Sequence, residues 1–115
     1  MRIINLTRHP VRFVLDNGTF FELDPGGVTA RVGSRTVEDL RVELVKGVEI
    51  PIYRMVDQRL IDLPDPVHGV LYVTSGLVAA VATRPDVVAP IRTQRDSTGR
   101  VVGVKGLLHY QGKEV

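Results

Sequence analysis

Residues 11–23 read VRFVLDNGTFFEL, two runs of β-forming residues on either side of Asp16-Asn17-Gly18. Asn and Gly adopt positive φ at low cost, so this spacing predicts a β-hairpin with strands over residues 11–15 and 19–23. Valine occurs 20 times and isoleucine 6 times, and β-branched side chains suit a pleated sheet better than a helix. The chain is therefore expected to be mainly β, a compact barrel or sandwich of short antiparallel strands.

Similar signals predict the other elements. Alternating or continuous apolar runs bounded by Gly and Pro predict strands over residues 28–32, 39–46, 48–56, 70–74 and 86–89, with a last hairpin formed by residues 91–94 and 100–110. Pro51 indicates an edge strand or a bulge. Ser75 is a suitable N-cap for residues 76–82, which predicts one short helix near 75–83. No linker or repeat divides the chain, so residues 1–115 are expected to form a single domain.

Length and composition exclude several classes of protein. A chain of 115 residues can bury an ordinary core, and the absence of cysteine excludes disulfides and thiolate chemistry. No apolar run is long enough for a signal peptide or a membrane span, so we expect a cytoplasmic protein without a membrane partner. A net charge of +2 and six aromatic residues are low for a protein that binds duplex or single-stranded nucleic acid.

Catalytic groupings are scarce. The three histidines, His9, His68 and His109, share no metal-ligand spacing, and no metal or cofactor is expected. Ser75 lies between a strand and a helix, where a nucleophile could stand. Its neighbours do not form G-x-S-x-G, however, and helix capping explains it better. We therefore expect a protein that is not an enzyme, and we keep a nucleotide hydrolase with His9 or His109 as its base as a third hypothesis.

Positive charge is concentrated near the C-terminus. Residues 84–115 contain six basic and three acidic residues, whereas residues 1–83 contain nine and ten. Arginine outnumbers lysine twelve to three, and its planar guanidinium matches phosphate and carboxylate geometry. A helix that begins after Ser75 would also direct free N–H groups towards an anion. These features predict a site for a small anionic ligand, in which phosphates are bound by Arg84, Arg92 and Arg95.

Polar residues alternate near the N-terminus. If residues 5–9 formed a strand, Asn5, Thr7 and His9 would share one face. In a functional interpretation they join Ser75 and the arginines around the ligand. In a structural interpretation Asn5 and Thr7 bond neighbouring backbone at the end of a strand.

Several segments resemble a known family. The start INLTRHP, residues 4–10, resembles the I-x-N-L-T-P-H start of small proteins encoded by phages and prophages of high-GC bacteria. Arg8 stands where that pattern has proline. Similar pieces follow at residues 27–32, 69–75, 84–90 and 95–103. The resemblance implies a phage accessory protein that acts in the host cytoplasm, where some small phage proteins sequester nucleotide signals of bacterial immunity as oligomers.

Two main functions follow from these observations. The first is a non-enzymatic homo-oligomer that binds a small anionic ligand such as a signalling nucleotide. The second is a protein–protein interaction module, either an inhibitor of a host enzyme or a small virion component, which would use exposed β edges.

Overall fold

A computed structural model of the chain describes residues 1–110. Within these residues the chain forms eight strands and one helix. In chain order they are β1 (Arg2–Asn5), β2 (Val11–Val14), β3 (Phe20–Leu23), β4 (Arg31–Val45), β5 (Val48–Ile61), β6 (Val70–Val73), α1 (Gly76–Ala82), β7 (Val87–Arg95) and β8 (Val101–His109). A mainly β fold with one short helix is confirmed.

Six strands form one mixed sheet in the order β1-β6-β7-β8-β2-β3. The pairs β7–β8 and β2–β3 are antiparallel, whereas β1–β6, β6–β7 and β2–β8 are parallel. The sheet therefore differs from the wholly antiparallel one that we expected. Parallel neighbours need a crossover, which α1 supplies between β6 and β7.

The two edges of this sheet meet at one point. Asn5 at the end of β1 forms an isolated parallel bridge with Pro25, which lies just after β3. The backbone N–H of Gly26 donates to the Asn5 carbonyl at 2.7 Å. A Cβ on Gly26 would lie 2.8 Å from the Ile4 side chain, so a glycine is needed for this close approach.

The predicted hairpin turn and the predicted helix cap are both confirmed. The β2–β3 hairpin turns at Gly18, whose φ is 83°, and the Asn17 side chain accepts a hydrogen bond from the Thr19 N–H at 3.0 Å. Ser75 caps α1 by accepting a hydrogen bond from the Val78 N–H at 3.3 Å.

Three predicted strand boundaries are wrong. Residues 28–30 are not in a strand, and β4 begins at Arg31 and runs for 15 residues. Residues 86–89 and 91–94 are not separate strands, because β7 continues through Pro90. Val88 accepts from the Thr74 N–H of the segment after β6, so Pro90, two residues later, has its nitrogen on the same side of β7. Because β6 pairs with β7 only as far as Val88, no strand on that side requires the missing N–H, while on the other side Pro90 pairs with Leu107 of β8.

The core lies between the sheet and α1. One cluster contains Leu6, Ala30, Tyr72 and Val78, and a second contains Ala79, Val87 and Ala89. Leu63 packs against both clusters. Strands β4 and β5 form a separate two-stranded antiparallel sheet, the β4–β5 hairpin. Val32, at the start of β4, packs against the first cluster, so the root of this hairpin is attached to the body of the domain.

The rest of the β4–β5 hairpin projects from this body. None of residues 34–60 is buried. The accessible surface of the chain is 8376 Å², whereas a compact protein of this mass exposes about 6,200 Å². Five residues of unfolded chain expose about 800 Å² at most, so residues 111–115 do not explain the excess. The radius of gyration is 18.2 Å, against about 13 Å for a compact domain.

Candidate functional site

Asn5 is the centre of a buried polar network. Its side chain is 1% exposed, and its Nδ2 donates to the carbonyls of His9 and Leu23, each at 2.9 Å. Its Oδ1 accepts from the Thr7 N–H at 2.9 Å and lies 2.6 Å from the Thr7 hydroxyl. The structural interpretation of Asn5 and Thr7 is therefore confirmed. The shared strand face is wrong, because β1 ends at Asn5 and residues 7–9 form a bend.

Arg84 is held by an ion pair beside the helix end. Its Nε and Nη2 donate to the two carboxylate oxygens of Asp86 at 2.9 and 2.6 Å, and its Nη1 donates to the Pro64 carbonyl at 2.9 Å. The hydrogen bond to Asp86 raises the pKa of Arg84, and the same bond lowers the pKa of Asp86. Arg84 thus joins the end of α1 to the loop before β6.

The other predicted arginines lie further along β7. Arg92 is exposed and has a φ of 65°, while Arg95 donates from Nη1 to the Gly99 carbonyl at 2.8 Å. Arg84 precedes β7 and Arg95 is its last residue, so eight strand residues, about 26 Å of extended chain, lie between them. Lys113 and Glu114 contributed to the predicted charge balance and lie outside the described residues.

The seven predicted ligand residues do not form one cluster. Hydrogen bonds join Asn5, Thr7 and the backbone of His9. Ser75 instead caps α1, Arg84 binds Asp86, and Arg95 binds the Gly99 carbonyl. Among residues 1–110, no group of three or more His, Asp and Glu side chains is arranged to hold a metal ion. No helix in the same part of the chain is long and apolar enough to cross a membrane.

The distal part of the β4–β5 hairpin, residues 38–52, has one apolar face, and we call this part the distal hairpin. Three directly paired positions place apolar side chains together on it: Leu40 with Ile52, Val42 with Ile50, and Val45 with Val48. These six residues are 36–63% exposed, and we call them the apolar face. An isolated two-stranded ribbon is only marginally stable in water. A ribbon of this length with an uncovered apolar face is therefore typical of a surface that binds another protein.

The opposite face of the distal hairpin is charged. Arg41 forms ion pairs with Glu38 at 2.8 Å and with Glu49 at 3.6 Å, and Glu43 pairs across the strands with Glu49. Residues 38–52 contain four acidic and two basic side chains, a net charge of −2, so the rest of the chain carries +4. Residues 38–52 are thus amphipathic and acidic, although the whole β4–β5 hairpin, residues 31–61, carries +1.

A second apolar surface lies on the body. A cavity of about 630 Å³ is lined by Met1, by Leu15 and by residues of β1, β2, β3 and β8, and no charged side chain lines it. Its apolar lining includes Ile3, Phe13, Leu15, Phe21, Leu23 and Leu107. Phe21 is 56% exposed, so the cavity is open to solvent. We call it the apolar cavity.

A smaller polar pocket lies at the root of the hairpin. It has a volume of about 400 Å³ and is lined by Arg8, Arg31, Asp62 and residues 27–29. Neither arginine forms an ion pair with another side chain of residues 1–110. The two guanidinium groups give this pocket the means to bind a small anion.

Sequence reasoning missed both arginines of this pocket and the apolar face. The alternation of Leu40, Val42 and Leu44 predicts a half-buried strand, whereas these residues lie on the exposed β4–β5 hairpin. The informative signal is two long alternating runs separated only by Lys46 and Gly47, and the φ of Gly47 is 79°. Such a pattern predicts a long hairpin, and a hairpin of that length extends beyond a domain of this size.

Comparison with protein-family models, with curated proteins and with solved structures gives no match for this chain.

Proposed function

We propose that this chain is a non-catalytic protein–protein interaction module that self-assembles through the apolar face of its projecting hairpin. The observation that carries the proposal is the exposure of six apolar side chains, paired across β4 and β5, on a ribbon that nothing in residues 1–110 covers. Burial of this face against a partner would remove apolar surface from water and stabilise the ribbon.

The surface area supports the same function. The chain exposes about 2,000 Å² more than a compact protein of its mass. A standard protein–protein interface buries about 800 Å² on each partner. At least about 1,300 Å² of this excess belongs to residues 1–110, which is enough for two interfaces at the lower end of the specific range, about 600 Å² each. Two separate apolar surfaces favour a small virion component over an inhibitor of a host enzyme, because an inhibitor needs one contact and an assembling subunit needs two.

Sedimentation velocity of the purified chain over a range of concentrations tests this function. We expect the wild type to form assemblies and the Ile50→Glu variant to sediment as a monomer, because a carboxylate on the apolar face cannot be buried without a partner. Met55→Glu is the matched control, since Met55 is 48% exposed on the opposite face of β5. A wild type that stays monomeric at several hundred micromolar would contradict the proposal.

The polar pocket supports anion binding as a second candidate function. Arg8 and Arg31 lie together at the root of the hairpin, although Asp62 offsets one of their charges. A nucleotide is the first class of ligand to consider, because paired guanidinium groups bind phosphates well. This site differs from the predicted one, which used Arg84, Arg92 and Arg95.

Thermal unfolding with a panel of linear and cyclic nucleotides tests the second function. A ligand at 100 times its Kd stabilises the folded state by about 2.7 kcal/mol, so binding would raise the melting temperature clearly. Arg31→Gln should abolish the shift, and Arg100→Gln, which lies outside the pocket, should leave it unchanged. No shift with any nucleotide at millimolar concentration would contradict anion binding here.

A further inference from the structure

We infer that the partner of the apolar face is a second copy of this chain, and that the hairpin of one copy occupies the apolar cavity of the next. This inference rests on the proposed function and names the occupant of its surface. It predicts a head-to-tail contact in which every copy donates a hairpin and receives one.

The apolar face and the apolar cavity match in shape and chemistry. The apolar face lies on a narrow projection, while the apolar cavity is concave, holds about 630 Å³ and has no charged lining. Packing one into the other would cover both with a single kind of contact. Packing two hairpins face to face would cover only the apolar face and leave the cavity, with Phe21 and Leu107, in water.

The distribution of charge also favours a contact between the hairpin of one copy and the body of the next. Residues 38–52 carry a net charge of −2, whereas the body of the domain, residues 1–30 and 62–115, carries +1. Two hairpins placed against each other bring like charges together, whereas a hairpin placed on the body of a neighbour brings opposite charges together. Electrostatic complementarity of this kind favours the correct partner and suppresses the wrong one.

The exposed surface area favours a head-to-tail contact as well. A head-to-tail subunit has two interfaces, one at its hairpin and one at its cavity. Two interfaces at the lower end of the specific range need about 1,200 Å² from each chain, and residues 1–110 account for at least about 1,300 Å² of surface beyond that of a compact protein. A two-fold dimer would use only one such patch. Head-to-tail contacts continue from copy to copy, so they generate rings or fibres rather than isolated dimers.

Mixing two inactivated variants tests this geometry. Ile50→Glu removes the hairpin's ability to insert, and Phe21→Glu removes the cavity's ability to receive. Both side chains are exposed, so neither change should unfold the monomer. Each variant alone should lose self-association by at least about 30-fold in Kd. An equimolar mixture should form a one-to-one complex and nothing larger, because the intact hairpin of one variant can enter the intact cavity of the other.

Phe20 provides the control for the Phe21 variant. Phe20 neighbours Phe21 on β3, is 54% exposed and points to the other face, so Phe20→Glu should assemble like the wild type. Native mass spectrometry with one variant isotope-labelled identifies the mixed complex. If Phe21→Glu assembles like the wild type, or the mixture stays monomeric, the head-to-tail contact is overturned while the proposed function stands. If the wild type itself never associates, the proposed function fails as well.

Discussion

Leu40 lies directly opposite Ile52 across the β4–β5 hairpin, and these side chains are 50% and 42% exposed. Such a pair belongs in the interior of a sheet, where cross-strand apolar contacts stabilise neighbouring strands. Here the pair stands on a two-stranded ribbon that leaves the domain. The hairpin's sequence therefore fits a buried surface that only a further chain can provide.

The hairpin should be separable from the body. Replacing residues 37–54 by Asn-Gly would join Thr36 to Met55, which already pair across the strands, by a two-residue turn. We expect the melting temperature to change by less than about 5 °C, because no side chain of residues 34–60 is buried. Circular dichroism on heating measures this. Loss of cooperative unfolding would show that the distal hairpin belongs to the core.

Asn5 should be essential for stability. Asn5→Ala removes a buried donor to the His9 and Leu23 carbonyls and the acceptor of the Thr7 N–H, and we expect a loss of about 2–4 kcal/mol in the free energy of unfolding. Asn17→Ala is the matched control, because Asn17 accepts its hydrogen bond at an exposed turn. Its cost should be under about 1 kcal/mol. Urea denaturation of both variants provides the comparison, and equal losses would contradict the role of Asn5.

Gly103 should tolerate no side chain. An added Cβ would lie 2.7 Å from the Arg12 carbonyl oxygen on β2, so Gly103→Ala must separate β8 from β2 and should cost about 1–3 kcal/mol. Gly106 on the same strand has 3.8 Å to the Ile91 side chain, an ordinary contact. Gly106→Ala should therefore be neutral or stabilise by up to about 1 kcal/mol. Two variants of equal stability would argue against the β2–β8 pairing.

The pair Arg84–Asp86 should make stability depend on pH in the acidic range. Because the folded state lowers the pKa of Asp86, the pair stabilises the fold above the ordinary aspartate pKa of about 4. That contribution is lost as the pH falls through the lowered folded-state pKa. Asp86→Asn should cost about 1–2 kcal/mol at pH 7, and this difference should vanish at the acid end.

A surface ion pair serves as the control for this pH dependence. Glu22 lies 3.9 Å from Arg12, and both side chains are about half exposed. Glu22→Gln should change the free energy of unfolding by under about 0.5 kcal/mol at any pH. Denaturation of the wild type and both variants from pH 2.5 to pH 7 measures these differences. A cost for Asp86→Asn that is the same at both ends would show that the ion pair is not its cause.

Local chemistry made part of the fold predictable. Asn17-Gly18 and Ser75 act through hydrogen bonds and φ angles within a few residues, so the first hairpin and α1 could be located closely. Pairing between distant segments leaves no such signal. The parallel neighbours β1 and β6 are about 68 residues apart, and their alternation would equally suit an antiparallel sheet.

The predicted site shows why charge along the chain is a weak guide to a site. Arg84 and Arg95 contributed to the basic C-terminal region, yet Asp86 binds the first and the Gly99 carbonyl binds the second. Arg8 and Arg31 are 23 positions apart and meet only because the loop before β4 returns past the end of β1. The phage or prophage origin of the chain stays a prediction.

Hydrogen exchange of the wild-type chain at low and at high protein concentration tests the central claim most directly. If the apolar face is a protein interface, the amides of residues 38–52 should exchange at least about tenfold more slowly at high concentration, while those of β6 and α1 should not change. Equal exchange of the distal hairpin at both concentrations, with the chain monomeric throughout, would contradict the claim.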